Sequence, residues 1–438
     1  MHSIVQLNDS SFPINSEVTV TGWLQRRRSM GGVLFLDLRD PTGVIQLVVS
    51  REQCPEALFR ALRHALPETA IEATGMFQEG KTQKREVHVH TIHIVGEASR
   101  IMTPAIRSDI DIFDVDLADH LLTNRHLYIR NEKVMAILQF RAAMMHAARL
   151  WFHEQQFLEI TAPIMTPLPL YDDGSALSLD VHGEKVFLTQ CVGFYLESAV
   201  HAFGRVYNIG PSFRGEESRS KRHLMEYWHI KAEAAHLNLD QIMRSVESLL
   251  AYIAKAAAAE CPNIEHVLGR TMNLDVLKAP FPRITYREAI ARLTELGMNH
   301  PFGKSLGSDE EALLSKDFST PFWISGIPRS IEPFPYVIDP DDPEVTRTAD
   351  LIATNGYGEL LGTAEKITDP AMLETRMREK GKFDREEYKW VREVHELGPV
   401  PHAAFGMGVE RMIRYLLDIP HVRDTIPFPR VFRRRVYP

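Results

Sequence analysis

Cysteine and long apolar runs are both scarce in this 438-residue sequence. Its three cysteines, Cys54, Cys191 and Cys261, are scattered without the close spacing of a metal site. We therefore expect no disulfide framework, no zinc site and a reducing, cytoplasmic location. No apolar run reaches membrane-spanning length, and the N-terminus lacks a charged region followed by a hydrophobic one, so no membrane association is expected.

An excess of positive charge is missing as well. The formal net charge of -8 excludes a generally basic nucleic-acid binder, so any contact with RNA must depend on local patches. With 44% hydrophobic and 25% charged residues, the chain can bury a large core. Its length predicts two or three domains.

The first hundred residues have the pattern of a small β-barrel. Residues 17–49 alternate apolar and polar between turn signals, which predicts a meander of short strands. A helical segment that includes Glu56 to Leu66 precedes a further strand from Arg85 to Val95. Five or so strands with one helix predict an OB-type barrel over residues 1–102.

Part of this barrel sequence suits single-stranded nucleic acid, since arginines attract phosphates, an aromatic ring stacks on a base and an amide reads a base edge. The candidate tRNA-binding residues are Arg26, Arg28, Phe35 and Gln46. Residue type alone favours a core position for Phe35, because it stands between two leucines in an apolar run.

Residues 103–128 are a predicted hinge, and residues 129–438 a second domain. The hinge contains Pro104, a cluster of aspartates and no sustained periodicity. From Asn131 to about Gln155, apolar residues recur at spacings of three and four, which predicts a long amphipathic helix. The strand that follows must end near Pro163, because proline removes a backbone donor.

Residues 206–233 predict a strand, a charged loop and a second strand. Arg214 and Glu216 are two residues apart, so their side chains leave the same face of an extended backbone. A guanidinium clamps phosphate, and the loop adds possible cations at Arg222 and His223. An exposed hairpin with a solvated charge run explains these residues equally well.

Residues 401–415 place Gly406 and Gly408 just before a helical run that contains Arg411. Glycine lets the backbone approach a ligand, and a helix start favours anions. Upstream, Asp350 and Glu359 flank an Asn-Gly turn, and no basic partner is expected for either. Such a pair suits Mg²⁺ beside phosphates, although two solvated acids at a hairpin are the alternative.

Together, FRxE, the following RH and the later GxGxER resemble motifs 2 and 3 of the class II aminoacyl-tRNA synthetases, and the helix, strand and proline resemble motif 1. The segment GW...RR...F..LRD...IQ resembles the anticodon-binding barrel of the asparaginyl and aspartyl subgroup. The whole chain is most similar to the asparaginyl members. The resemblance implies an α+β catalytic domain with an antiparallel sheet flanked by helices, a homodimer, and tRNA, ATP and Mg²⁺ as ligands.

The resemblance also implies a reaction in which ATP and a carboxylic acid give an acyl-adenylate, which is transferred to the tRNA 3' end. Arg214 would bridge the α-phosphate and the carboxylate, Glu216 would hold the adenine amino group, and Tyr227 and Arg411 would sandwich its ring. The implied ATP-binding residues are Arg214, Glu216, Arg222, His223, Leu224, Tyr227, Glu359, Gly408 and Arg411. Arg214 and Arg411 are the implied catalytic residues, and Asp350 and Glu359 the implied magnesium ligands.

The implied amino-acid pocket departs from the family. TQCVGFYLE places Gly193 where a glutamine is usual, Lys231 stands where a glutamate is usual, and GTAEK replaces GGSQR. An ammonium group in place of a carboxylate favours an anion. The implied pocket residues are Asp173, Gln190, Gly193, Lys231, Glu365 and Lys366.

Two further hypotheses follow from the resemblance and these departures. A paralogue could adenylate a different carboxylic acid and transfer it to a small amine or carrier. A non-catalytic RNA-binding paralogue fits poorly, because the nucleotide-binding residues remain.

Overall fold

The computed structural model describes residues 2–80, 85–107, 109–169, 173–218, 220–272 and 274–438. The chain forms two compact units, one of Met1–Asp111 and Arg130–Met135, the other of Ile112–Ile129 and Ala136–Pro438. They divide at Asp111 rather than at residue 102, and the segment 103–128 is split between them. The three functional boundaries given above stay a prediction.

The first unit is built on a closed five-stranded barrel, in the order β1-β2-β3-β5-β4. Alternate residues point inward, so that Val18 and Val20 of one strand and Leu34 and Leu36 of the next are buried. The elements of this unit are α1 Ile4–Asn8, β1 Ser16–Met30, β2 Val33–Asp40, β3 Gly43–Ser50, α2 Glu56–His64, β4 Ala70–Glu79 and β5 Arg85–Gly96.

Phe35 does not occupy the core position that its residue type favoured. The pleat of β2 turns Leu34 and Leu36 into the barrel, which leaves Phe35 on the outer face and half-buried. The guanidinium carbon of Arg28 lies 5.7 Å from the centre of the Phe35 ring.

The second unit contains an eight-stranded sheet in the order β12-β13-β14-β15-β16-β11-β10-β6 and a three-stranded sheet in the order β7-β9-β8. Its strands are β6 Leu158–Glu159, β7 Met165–Thr166, β8 Ser178–Val181, β9 Glu184–Leu188, β10 Arg205–Phe213, β11 Glu226–Ala235, β12 Arg283–Thr285, β13 Phe322–Ser325, β14 Thr348–Ala353, β15 Gly358–Lys366 and β16 His402–Gly408. Its helices are α3 Ala118–Thr123, α4 Arg125–Tyr128, most of α5 Glu132–Glu154, α6 Gly193–Phe203, α7 Leu239–Glu260, α8 Ile264–Leu268, α9 Tyr286–Glu295, α10 Ser308–Leu314, α11 Pro370–Glu379, α12 Lys389–Val394 and α13 Val409–Leu416.

The large sheet is antiparallel through its centre, as expected, but it is mixed overall. β10 pairs in parallel with the edge strand β6, and β12 pairs in parallel with β13. The predicted long helix is α5, whereas the predicted strand before Pro163 is only the two residues of β6. In the described part of the chain, no helix is long and apolar enough to cross a membrane.

The centre of this sheet carries the segments that the sequence singled out. β11 lies between β10 and β16, and β15 lies on the other side of β16. Lys231 of β11 stands directly opposite Gly406 of β16, and Gly406 stands opposite Gly362 of β15. Stretches far apart in sequence therefore meet on one face.

Candidate active site

A cavity of about 710 Å³ lies over the central strands of the large sheet. A smaller cavity of about 80 Å³ adjoins it, and the two share Arg214, His229, Glu359 and Gly406 in their walls. Alternate residues of β11 line this space one after another: Tyr227 lines the smaller cavity, His229 both, and Lys231 and Glu233 the larger.

The two arginines predicted to act together line the same small cavity. Arg214 follows β10, and its guanidinium carbon lies 5.8 Å from the centre of the Tyr227 ring. Arg411 is the third residue of α13, directly after the close-packed end of β16 at Gly408. The structure therefore brings both arginines and the Tyr227 ring to the walls of one small cavity.

His223 is a neutral member of this group rather than the cation that the sequence suggested. Its burial lowers its pKa, as do Arg411 and Arg222, to about 4. Its Nδ1 lies 2.8 Å from the hydroxyl of Ser218. At neutral pH it can therefore exchange hydrogen bonds with a ligand but adds no charge.

Arg222 is held by a residue that the sequence did not reveal. Its guanidinium pairs with the Glu311 carboxylate, which also accepts a 3.1 Å hydrogen bond from the amide of Glu359. Glu311 belongs to α10, in a region where no motif was recognised. The sequence gives no sign of this role, because a single glutamate in a short helix cannot be distinguished from an ordinary exposed acid.

The remaining predicted nucleotide-binding residues occupy the walls and the mouth. Leu224 is buried against Val422 and lines the small cavity together with Gly408. Glu216 is 42% exposed, and its carboxylate lies 3.6 Å from Arg214. It is therefore placed where a ligand enters the site.

The two predicted magnesium ligands line the large cavity together, but one of them has a basic partner after all. Glu359 pairs with Arg411 at 3.0 Å, which corrects the expectation of two acids without a basic neighbour. Burial raises the pKa of Asp350 well above its usual value, and Glu359 and Glu332 raise it further. Glu332, which the sequence did not indicate, has its own pKa raised to about 7 by burial and by Glu359.

A divalent cation bound between these carboxylates would offset their mutual repulsion. Asp350 and Glu359 therefore suit an oxygen-preferring ion. Within the residues that the structure describes, however, no group of three or more His, Cys, Asp or Glu side chains is arranged to hold a metal.

Most of the predicted amino-acid pocket lies at the other end of the large cavity. Gly193, Lys231 and Lys366 line it, and the ammonium group of Lys231 contacts the sulphur of Cys191. Gln190 is buried and donates a 2.9 Å hydrogen bond to Ser175.

Lys366 is held by acids that the motifs did not mark. Its ammonium lies 3.4 Å from Glu197 and 3.4 Å from Glu233, and all three side chains are buried. Glu197 in turn lies 2.9 Å from the Nε2 atom of His395. Glu197 ends the TQCVGFYLE segment and Glu233 ends the segment 206–233, but nothing in either pattern predicts a contact with Lys366.

Two predicted pocket residues are placed differently from the expectation. Glu365 lies outside the cavity, because alternate residues of β15 face opposite sides of the sheet. It accepts a 3.2 Å hydrogen bond from the amide of Leu239 at the start of α7 and pairs with Arg347. Asp173 lines the cavity, but its carboxylate is bound by Lys382 and by Arg385.

In the first unit, three of the four predicted tRNA-binding residues form one surface. Arg28 donates a 2.7 Å hydrogen bond to the Gln46 amide oxygen and lies over the Phe35 ring. The Gln46 amide donates to Glu86 at 2.7 Å. Arg26 is exposed two residues before Arg28 on β1.

Comparison with known proteins agrees with this architecture. The family model "tRNA synthetases class II (D, K and N)" matches residues 118–432, and "OB-fold nucleic acid binding domain" matches residues 18–95. The asparagine–tRNA ligase of Desulforamulus reducens is 35% identical, with 97% of each chain covered. That of Thermoplasma acidophilum is 30% identical, with 99% of each chain covered. The crystal structure of Pyrococcus horikoshii asparaginyl-tRNA synthetase complexed with asparaginyl-adenylate is 32% identical, covers 97% of both chains and has a TM-score of 0.91.

The fold and the matched families are those of an enzyme that joins an amino acid to tRNA through ATP. The chain belongs to the class II tRNA synthetases of the D, K and N group. The predicted resemblance, the OB-type barrel and the ATP-dependent aminoacyl-tRNA ligase class are thereby confirmed. These relatives do not favour the alternative of a paralogue that serves a small amine or carrier.

Proposed function

We propose that the cavity binds ATP and an amino acid of the asparagine or aspartate type, joins them as an aminoacyl-adenylate, and transfers the aminoacyl group to tRNA. The observation that carries this proposal is that Arg214, Arg411 and Tyr227 line one small cavity, with the Arg214 guanidinium carbon 5.8 Å from the centre of the Tyr227 ring. Full-length similarity to asparagine–tRNA ligases, and to a synthetase solved with asparaginyl-adenylate, supports it.

In the first step, a substrate carboxylate oxygen attacks the α-phosphorus of ATP and the bond to pyrophosphate breaks. Arg214 lies between the two cavities, so it can contact both the carboxylate and the α-phosphate and offset the charge that develops. Adenine would lie against Tyr227 with Arg411 on its other face, and Glu216 would accept from its amino group. Arg222 and His223 would meet the outer phosphates, with the main chain at Leu224 and Gly408 forming the wall.

In the second step, a hydroxyl of the tRNA 3' end attacks the acyl carbon and AMP leaves. No side-chain nucleophile takes part, so the chain contributes position and charge neutralisation. Lys231 is four residues along β11 from Tyr227, or about 13 Å at strand spacing. That separation suits a ligand whose adenine and amino-acid side chain lie at opposite ends of the site.

Asp350 and Glu359 would hold Mg²⁺, which supplies charge neutralisation for the phosphates when bound. Repulsion between the two carboxylates supports this assignment. Glu359→Gln should therefore raise the Mg²⁺ concentration required for half-maximal pyrophosphate exchange, whereas Glu374→Gln on exposed α11 should not. An unchanged requirement in Glu359→Gln would place the ion elsewhere.

The barrel would bind the tRNA anticodon through Arg26, Arg28, Phe35 and Gln46, and two chains would pair through β6 and its surroundings. β6 is an edge strand, and apolar side chains near it are exposed, with Leu158 at 46% and Met165 at 57%. Sedimentation should give twice the chain mass of 49.9 kDa. A cytoplasmic location is expected for such an enzyme.

Pyrophosphate exchange with Arg214→Ala tests the proposed reaction. Loss of the bridge between carboxylate and phosphate should abolish exchange. Arg244→Ala, on the exposed face of α7, is the matched control and should retain it. Near-normal exchange in Arg214→Ala would show that the reaction occurs at a different place.

A further inference from the structure

The amino-acid end of the large cavity is shaped around Lys231. This lysine is 7% exposed and crosses the sheet surface over Gly406, its partner on β16. A Cβ at Gly406 would lie 3.1 Å from Lys231 Cε and 3.3 Å from Nζ. The absent side chain at Gly406 therefore gives Lys231 its path, which keeps its ammonium group in the cavity rather than in solvent.

Lys366, the second lysine at this end of the cavity, is paired with acidic side chains. It lies 3.4 Å from each of two buried carboxylates, Glu197 and Glu233. Burial raises the pKa of Glu233, Lys366 lowers it and Glu197 raises it again, so that it lies at about 7. Lys366 is therefore committed to the two buried carboxylates, whereas the ammonium group of Lys231 lines the cavity beside the sulphur of Cys191.

Gly193 leaves open the space next to Lys231. It begins α6 without a positive φ, and a Cβ there would make ordinary contacts, 3.4 Å to the sulphur of Cys191 and 3.9 Å to the carboxylate of Glu233. The backbone does not require glycine at this place. Its effect is to leave room above Cys191 and Glu233, where a ligand side chain can enter.

We propose that the amino acid activated here carries a side-chain carboxylate, which binds Lys231 in the space left open by Gly193. An ammonium group that lines a buried cavity forms a stronger, charge-assisted hydrogen bond to a carboxylate than to a neutral amide. The inference rests on the proposed function, since it takes this cavity as the amino-acid site. It differs from the substrate that the relatives' names give.

Pyrophosphate exchange by the unmodified protein with L-asparagine, L-aspartate and L-glutamate tests the inference directly. We expect kcat/KM with aspartate or glutamate to exceed that with asparagine at least tenfold. Lys231→Gln should lower the value for the acidic substrate at least tenfold and that for asparagine less than threefold. Lys231→Arg, which keeps the charge, should retain the acidic preference, and Lys255→Gln on exposed α7 is the control.

The possible results separate this inference from the proposed function. Preference for asparagine, or for another acid with an uncharged side chain, would overturn the inference and leave the proposed reaction intact. Absence of exchange with all three amino acids would contradict the proposed reaction itself. An acidic preference that survives in a folded Lys231→Gln protein would also overturn the role of Lys231. Because the comparison of the three amino acids uses the unmodified protein, it still tests the inference if a variant fails to fold.

Discussion

His402 is a buried residue whose charge state couples the site to the stability of the sheet. Its side chain is fully buried, its Nδ1 donates a 2.9 Å hydrogen bond to the Val400 carbonyl, and its Nε2 lies 3.6 Å from Glu233. Burial lowers its pKa to about 4. In the unfolded chain a histidine titrates near 6.5, so protons are taken up on unfolding between these values.

This difference predicts a defined effect of pH on stability. The contribution of neutral His402 is complete above about pH 6.5 and is lost as the pH falls towards 4. Relative to His402→Gln, the unmodified protein should lose about 2 kcal/mol of unfolding free energy between pH 7 and pH 5. Urea unfolding at the two pH values measures this loss, with His146→Gln on exposed α5 as control. A constant difference between protein and variant would show that folding does not shift the pKa of His402.

Site residues that belong to a motif could be predicted from the sequence, whereas residues that join the site only through a contact in the fold could not. Arg214 and Arg411 were recognisable because each belongs to a short pattern with glycine, glutamate or histidine at fixed positions. Glu311, by contrast, reaches Arg222 across 89 residues of sequence. Nothing local to Glu311 reveals that contact, because only the folded sheet brings the two together.

At the scale of elements, the barrel depends on a close approach between β4 and β5. The ladder shifts register between Thr74 and Gly75, and a Cβ at Gly75 would overlap the carbonyl oxygen of His88 on β5. Only glycine fits such an approach. Alanine at position 75 would fit the alternating pattern of the strand, but its methyl group would collide with the backbone of β5.

Gly75→Ala should destabilise the barrel by about 1 to 3 kcal/mol, because the strands must separate to admit the methyl group. Gly96→Ala is the matched control, since its Cβ would meet Ala70 at an ordinary 3.8 Å. Hydrogen exchange of peptides from β4 and β5 should rise in the first variant and not in the second. Equal protection in both would mean that the strands lie further apart than described.

Periodicity predicted the regular elements well and the short ones poorly. The three-and-four spacing located α5 within one residue at each end, and the alternation of residues 17–49 located β1 to β3. β6 has only two residues, too few for any period to show. Glu365 was misplaced because motif alignment ignores which face of β15 a residue occupies.

At the scale of the whole molecule, the two compact units have separate surfaces and separate predicted tasks. The large sheet carries the cavity with the predicted nucleotide-binding residues, and on the barrel Arg28 contacts both Phe35 and Gln46. In the proposed reaction, amino-acid activation uses only the cavity, whereas tRNA charging uses the cavity and the barrel surface.

Combined Arg28→Ala and Phe35→Ala should therefore reduce tRNA charging and leave pyrophosphate exchange unchanged. Loss of a stacking ring and of a phosphate-binding cation predicts at least a tenfold rise in the KM for tRNA. Arg60→Ala, on exposed α2, is the control. Unaltered charging by the double variant would remove the barrel surface from tRNA recognition.

Family-level features extend along the whole chain, so sequence established the class of enzyme and its two-part architecture. In the proposal made here, the preferred amino acid depends instead on the position of the Lys231 ammonium group over Gly406 and on the open space at Gly193, which no single motif contains. Both features appear only when β11, β16 and α6 are brought together.

The central claim is that Arg214 and Arg411, 197 positions apart in the sequence, hold one ATP against Tyr227. Equilibrium binding of Mg²⁺-ATP to Arg214→Ala and to Arg411→Ala, with Arg244→Ala as control, tests it most directly. The account predicts at least a tenfold loss of affinity in each of the first two variants, about 1.4 kcal/mol, and none in the control. Wild-type affinity in both arginine variants would contradict it.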